Sequence, residues 1–343
     1  MAVQELGGIA EIEGWEAPVQ KAAIIRLFGT LKSFARKKPL GLVCGVIVLF
    51  FFVIGDVVPE SANKFAKTPI ALPGLGTIKP DLGTPVPYLA DQLAEVSPFL
   101  YPYAKQDLRA RLQGSSSKHL LGTDAIGRDI LSRLMYGARV AVMVSCGAVF
   151  ISMTIGATIG IMSGFYGSWV DKFLYRIVDV FQALPPLVVF IVILGIFESG
   201  LWQLVIVLGV IGGPIQSRTI RGQTIYVMAS PFIEAARVVG CSDRRIMIRY
   251  ILPNVFALIV LNATFSLGFL VLLEATLSFL GYGLPPPFPS WGQMLSLEGR
   301  QYMRTQPGLS IYPGLAIGLL VFSFNLFGDA LRDVLDPRLR GSR

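Results

Sequence analysis

Long apolar runs recur along this chain, separated by shorter stretches rich in arginine, lysine, glycine and proline. A helix needs about 20 mostly apolar residues to cross hydrocarbon. Six segments qualify: Leu40–Val58, Val140–Met162, Leu187–Phe197 with an amphipathic lead from Phe173, Leu201–Ile220, Val255–Tyr282 and Ile311–Leu331. Hydrocarbon offers no partner to free backbone N–H and C=O groups, so each run is expected as a helix. Pro185 and Pro186 should kink or start the third. The expectation is an all-α, polytopic membrane protein with about six transmembrane helices.

Composition agrees with that pattern. Only 15% of the residues are charged, against about 25% in soluble domains, and 53% are hydrophobic, which leaves no independent soluble domain. The formal charge of +8 sits between the apolar runs instead of on one basic face with stacking aromatics, so it argues for membrane topology and against nucleic acid. Cys44, Cys146 and Cys241 are too scattered for a disulfide framework and read as small buried residues. His119 has no Cys or second His nearby, reads as a surface residue, and no metal site is expected. The acidic start (Glu5, Glu11, Glu13, Glu16) lacks the basic region of a cleaved signal peptide, so the first run should stay as an anchor.

Basic residues concentrate in short cytoplasmic loops. Lys21–Lys38, the loop before the fifth run (Arg218, Arg221, Arg237, Arg244, Arg245, Arg249) and the tail with Arg332, Arg338, Arg340 and Arg343 then lie inside, so both termini are expected in the cytoplasm. The basic segment after the first run is the exception, but loops beyond about 60 residues translocate regardless of charge. The organisation is a cytoplasmic tail (1–39), an anchor helix (40–58), an external Pro-rich segment with an amphipathic lead-in (59–139), a core of five further helices (140–332) carrying the loop 230–253, and a cytoplasmic tail (333–343). The prolines Pro59, Pro69, Pro73, Pro80, Pro85 and Pro87 should block regular helix or strand, leaving either a flexible loop or a docking surface. Thr123 or Asp124 is expected to cap a helix carrying Ile126, Ile130, Leu131, Leu134 and Met135.

The chain holds no Gly-rich phosphate loop ending in Gly-Lys-Ser/Thr and no nucleophile–base constellation, so no catalytic residue is expected. Its most informative stretch is Ser230–Pro253. Ser230 can cap one short helix with Pro231 in its first turn, Gly240 suits the left-handed residue that ends it, and Ser242 with Asp243 can start a second that Pro253 closes. Paired Arg244 and Arg245 fall at the tip, with Ile246, Met247, Tyr250 and Ile251 behind. Such an elbow fits a groove on another protein, or simply lies at the membrane interface.

This stretch resembles the coupling loop of ABC importer permeases: Glu-Ala-Ala, three residues, Gly, nine residues, Ile-x-Leu-Pro. Glu234, Ala235, Ala236, Gly240, Leu252 and Pro253 match, and Tyr250 stands where the pattern has Ile. Leu121-Gly122-Thr123-Asp124 through Gly137-Ala138-Arg139, Glu274-Ala275 through Leu280-Gly281, Pro285-Pro286 with Pro289-Ser290-Trp291-Gly292, and Gly328-Asp329 through Asp336-Pro337-Arg338 are similar to the C-type permease subunit of dipeptide, oligopeptide and nickel importers. The likeness runs from the first span to the C-terminus. It implies a type I ABC importer permease fold in a bacterial or archaeal cytoplasmic (inner) membrane. It also implies a homologous permease as heterodimer partner, two ATP-binding subunits that hold ATP and Mg, an external substrate-binding protein, and a peptide-like solute as substrate. The chain itself would carry no cofactor. Glu234, Ala235, Ala236, Gly240, Asp243, Arg244, Arg245, Leu252 and Pro253 would couple to the ATPases.

A charge inside a span costs about 2.5–3.5 kcal/mol on insertion scales, so Glu274 should face the bundle or a wet cavity. It is a candidate for the translocation path with Asn262, Ser266 and Asn325, although packing accounts for all four. Gly156 with Gly160, and Gly314 with Gly318, would let helix backbones approach closely. The rival classes are an ion-gradient-driven secondary transporter and a membrane scaffold without transport. The first should show ionisable residues in several spans and an inverted repeat, but Glu274 is nearly alone and no such repeat is visible.

Overall fold

The computed structural model describes residues 39–56, 70–72, 76–78, 101, 103–197 and 200–335. The expected N-terminal tail, most of the Pro-rich segment and the C-terminal tail from residue 336 lie outside them. The elements are α1 (Pro39–Asp56), β1 (Ile70–Leu72), β2 (Gly76–Ile78), α2 (Ile130–Tyr166), α3 (Ser168–Ala183), α4 (Pro186–Ile196), α5 (Leu201–Met228), α6 (Pro231–Val238), α7 (Asp243–Ile246), α8 (Leu252–Phe279), α9 (Trp291–Met294) and α10 (Gly308–Leu335).

Among the described residues, α2, α5, the continuous stretch Asp243–Phe279 and α10 are each long and apolar enough to cross a membrane. A fifth span forms if α3 and α4, bent by 85°, count as one, and Pro39–Phe51 adds a shorter apolar helix. Leu184, one residue before Pro185, is extended (ψ 145°), because a proline ring clashes with a helical predecessor. Pro186 then starts α4 at a position where no backbone donor is missed.

Two local expectations need correction. Pro73 does not prevent strand formation: it falls between β1 and β2, which pair antiparallel with Ala71 opposite Thr77. The cap of α2 is Asp129, whose carboxylate accepts from Ser132 N, rather than Thr123 or Asp124, whose side chains are committed to a turn described below. The amphipathic lead-in is therefore the first turns of α2 itself. That helix runs 37 residues, or about 55 Å at 1.5 Å per residue, so its two ends lie on opposite sides of a bilayer.

Against α2 lies α5, and the two approach through small residues. A Cβ on Gly160 would stand 2.8 Å from Ser217 O, and one on Gly156 would stand 2.9 Å from Gly213 O. Both neighbours are backbone atoms that no rotamer change can move. Close backbone approach is how helices associate where water cannot drive them together. Gly314 and Gly318 of α10 meet nothing within 4 Å, so close approach there is not a feature of this chain alone. Three apolar clusters fill the bundle. One joins Tyr136, Val144, Leu204 and Leu208 with Leu277, a second joins Ile130, Val142, Trp291 and Leu320, and a third joins Ile161, Phe165 and Ile220 with Ile233 and Ile251. The outward face stays apolar, with Phe256, Phe269, Leu272 and Leu315 exposed to what is lipid or a partner helix.

Gly160→Val should therefore destabilise the bundle by about 1–3 kcal/mol through overpacking, read as a lowered melting temperature in detergent. Gly222→Ala on α5, where nothing lies within 4 Å, is the control and should leave it unchanged or slightly raised.

Candidate functional site: a helical elbow and a polar cap

At one end of the bundle the chain leaves α5 and makes the elbow. Ser230 precedes α6 with extended φ/ψ, and its carbonyl, not its side chain, accepts from Ile233 N at 3.0 Å. Gly240 has φ +83°, donates to Arg237 O at 2.9 Å, and is followed by Cys241 N donating to Ala236 O at 3.0 Å. This pair of bonds closes a helix through a left-handed glycine. Helix then resumes at Asp243 and does not stop at Pro253. A wider turn over Met247–Ile251, with Leu252 N bonded to Met247 O, carries it into α8. That extra residue removes the need for the donor Pro253 lacks, so the elbow is one rigid piece with a span.

Ile233, Ala236, Ile246 and Ile251 bury the inner face of the elbow against Ile161, Phe165, Ile220 and Val227, the far ends of α2 and α5. Outside, Glu234, Ala235, Asp243, Arg244, Arg245 and Pro253 are exposed, Leu252 is half-buried, and Val238 and Val239 show 88% and 82% of their surface. Ser242, Arg244, Arg245, Ile248 and Arg249 line a cleft of about 450 Å³. Val238 and Val239 at the end of α6 and Arg244 and Arg245 of α7 are thus left uncovered among the described residues.

Arg218 and Arg221, expected in a loop, instead sit in the last turns of α5. Arg221 makes a bidentate pair with Asp171 of α3, Nε to Oδ1 2.7 Å and Nη2 to Oδ2 2.6 Å, and lies 4.8 Å over the Tyr175 ring. Arg218 reaches Asp179 Oδ1 at 2.7 Å. Periodicity marks α3 as amphipathic but cannot show which helix its acids meet.

The intramembrane candidates separate. Ser266 of α8 accepts from Gln216 Nε2 of α5 at 2.9 Å, and Asn262, one turn away, keeps its Nδ2 buried without a partner. Asn325 instead packs at the α8–α10 contact, 3.3 Å from where a Gly268 Cβ would be. Glu274 is fully buried, takes a 2.7 Å bond from Ser278 Oγ to Oε1, and leaves Oε2 unpartnered. It therefore faces protein, not an open path. Gln216 is the residue sequence reading missed, since a lone glutamine in a span gives no periodic signal.

At the opposite end, residues 103–129 fold into a cap over the start of α2. Thr123 Oγ1 bonds Ala110 O and accepts from Gln113 N at 2.9 Å, while Asp124 Oδ1 accepts from Ile126 N at 3.0 Å and Arg128 N at 2.9 Å. Arg128 spans Asp124 (Nε to Oδ2, 2.5 Å) and Glu298 (Nη2 to Oε1, 2.7 Å), with Arg133 Nε 3.5 Å from the same Asp124 oxygen. His119 is not at the surface: it is 6% exposed, with Nδ1 3.0 Å from Asp129 Oδ1. The reason lies in Asp129, which caps α2 and presents its second oxygen to the ring. Burial, reinforced by the Asp124 carboxylate, pushes Glu298 above the usual carboxylate range, against the pull of Arg128 and Arg133.

A helical elbow continuous with a span, in a bundle of long apolar helices, is the architecture of a polytopic membrane protein. The chain belongs to the family described as the binding-protein-dependent transport system inner membrane component, whose model matches residues 156–341. It is 40% identical over 69% of its length, and 78% of the relative, to the dipeptide transport system permease protein DppC of Alkalihalophilus pseudofirmus. It is 39% identical, over 71% of its length and 81% of the relative, to the glutathione transport system permease protein GsiD of Pectobacterium atrosepticum. The fold matches a chain of the MetNI methionine ABC transporter in an inward-facing conformation, with TM-score 0.50, 20% identity, and coverage of 60% of this chain and 96% of that one. The protein is a permease subunit of an ABC importer. Permease subunits of ABC transporters are not catalytic, and ATP hydrolysis resides in the partner subunits of such complexes.

Two outcomes test the cap. Arg128→Ala leaves two carboxylates without their shared cation and should cost roughly 3–5 kcal/mol, as removal of one partner of a buried pair does, seen as early unfolding in a thermal melt. Glu298 gives a pH signature. Its raised folded-state pKa means that the folded chain holds a proton the unfolded chain has released, so its contribution to stability declines as pH rises through that window, starting from about 4.3. Glu298→Gln should flatten this decline in melts recorded across pH.

Proposed function

We propose that this chain forms, with a homologous permease, the translocation pathway of an ATP-driven importer for peptide-like solutes. The elbow from Ser230 to Pro253 inserts into a groove on an ATP-binding subunit, and a soluble binding protein delivers substrate at the cap. The observation that carries this reading is the left-handed Gly240 joining α6 to a helix that runs unbroken into α8. Motion of the ATPase pair, pushing on that elbow, is transmitted to the spans as a rigid-body switch between two packings. The peptide class rests on the relatives' names, dipeptide and glutathione permeases. The amide and hydroxyl groups of Gln216, Asn262 and Ser266 supply peptide-compatible hydrogen bonding at membrane depth.

ATP and Mg belong to the ATP-binding subunits, two per complex, and this chain carries no cofactor. The membrane is the bacterial or archaeal cytoplasmic one, with both termini and the elbow inside and the cap outside. Cysteines placed at the exposed Ser117 and Ser242, in a Cys241→Ser background, test that orientation. An impermeant thiol reagent on intact cells should label the first and spare the second, and the reverse pattern overturns the topology.

A side chain at Gly240 meets no atom within 4 Å, so Gly240→Val acts through backbone strain alone, about 1–2 kcal/mol or more for a β-branched residue. Glu234→Arg reverses an exposed charge on α6. Both variants should reach the membrane in normal amount and lose ATP-dependent uptake, with the ATPases released or hydrolysing without transport. Wild-type import by both, verified as folded and assembled, removes the elbow from the coupling role.

A further inference from the structure

The third apolar run and its amphipathic lead do not cross the bundle as one rod. The second half, α4, packs Phe190 and Leu194 into one cluster with Leu201, Leu204 and Leu208 of α5, so it lies alongside that span. The first half, α3, turns from α4 by 85°. The ion pairs show the same crossing. Asp171 and Asp179 are eight residues apart on α3, about 12 Å along its axis, yet their partners Arg221 and Arg218 are three residues apart on α5, about 4.5 Å. A helix running beside α5 would find partners equally far apart, so α3 passes across it. Arg218 and Arg221 lie 17 and 20 residues past Leu201, about 26 and 30 Å along α5, the depth at which a hydrocarbon core about 30 Å thick gives way to headgroups.

The helix is two-faced as well as crosswise. Val178 is fully buried, and Ser163 of α2 joins Arg221 in bonding Asp171, which fixes the inner side. Trp169, Phe173, Ile177 and Val180, at intervals of three and four residues, form an outward stripe, with Trp169 72% and Val180 65% exposed. Lys172 and Arg176 run along its flank, exposed and without an ion-pair partner among the described residues. Asp179, exposed beside them, is taken by Arg218, so both acids of α3 are matched from α5 and these two bases are the charge left over.

We propose that α3 lies in the plane of the membrane, in the leaflet on the elbow side, with its stripe among the acyl chains and Lys172 and Arg176 on the headgroups of anionic phospholipids. The permease reading above makes that leaflet the cytoplasmic one. The side chains favour a bilayer surface over a partner helix. Helices that meet in lipid do so through small residues, as α2 and α5 do at Gly156 and Gly160. This stripe is bulky instead, carries a tryptophan of the kind that settles at the membrane interface, and is edged by bases long enough to reach headgroups.

The test uses the assembled importer in nanodiscs of phosphatidylcholine with phosphatidylglycerol. Spin labels on Phe173→Cys and Val180→Cys, one at a time in a cysteine-free background, report depth from their exposure to oxygen and to a water-soluble nickel relaxant. The two depths should agree within about 4 Å, whereas a helix along the membrane normal separates them by about 10 Å and overturns the proposal. Shielding of both labels from oxygen and nickel alike identifies the partner permease as the occupant and overturns it too. Spin-labelled phosphatidylglycerol should be immobilised in preference to spin-labelled phosphatidylcholine, and less so as salt is raised. Lys172→Gln with Arg176→Gln should reduce that preference by about fivefold, and Arg300→Gln with Arg304→Gln, at the opposite end, should leave it unchanged. A preference that survives the first pair intact, in a complex that still co-purifies with its ATPases, refutes the headgroup contact. Absence of ATP-driven uptake by a wild-type complex with these lipid properties counts against the permease reading alone.

Discussion

Backbone-to-backbone contact between α2 and α5 is the constraint on which the rest of the molecule depends. Gly156 and Gly160 bring these helices so near that Gly213 O and Ser217 O occupy the space a side chain would need. In hydrocarbon no hydrophobic force separates helix from lipid, so packing of this kind and a few interhelical hydrogen bonds must hold the bundle. The pair also fixes both functional ends. The elbow buries Ile233 and Ile246 against the far ends of α2 and α5, and the cap is built on the first turn of α2.

Ion pairs hold both ends of the bundle. Arg221 and Asp171 clamp the amphipathic α3 to the last turns of α5, and Arg128 with Glu298 clamps the cap to the loop before α10. Between them the hydroxyl side chains of the spans bond mostly to their own helix, as Ser145, Thr158, Thr224 and Ser323 do, while Gln216 and Ser266 form an interhelical pair. Buried ion pairs add little net stability over apolar packing, but breaking one is costly, which makes them effective at holding one arrangement. The elbow uses a different device: Gly240 sets the angle through backbone conformation, and the wide turn before Pro253 keeps that angle rigidly joined to α8.

Much of this was legible in the sequence because lipid imposes long apolar runs, and those runs locate the helices, although α2 begins ten residues before Val140 and α5 runs eight residues past Ile220. The elbow was legible for another reason: Ser230-Pro231, Gly240 and Ser242-Asp243 are local signals whose meaning does not depend on distant contacts. What was not legible involved pairing across the chain. His119 is buried only because Asp129, ten residues on, caps a helix, and Glu298 meets Arg128 across 170 positions. Pro253 misled because a proline normally ends a helix, whereas one extra residue per turn lets this helix continue. Gly314 and Gly318 show the converse, a packing signal with no partner inside the chain.

The central claim is that this chain moves peptide-like solute by ATP-driven motion transmitted through the elbow. It is tested most directly in proteoliposomes holding the chain, its homologous permease and the ATP-binding subunits, with ATP enclosed and the binding protein and labelled short peptides outside. The account predicts accumulation that requires enclosed ATP and every subunit, and none from a proton or sodium gradient alone. Uptake driven by an ion gradient without ATP, or no uptake from the complete and folded assembly, contradicts it.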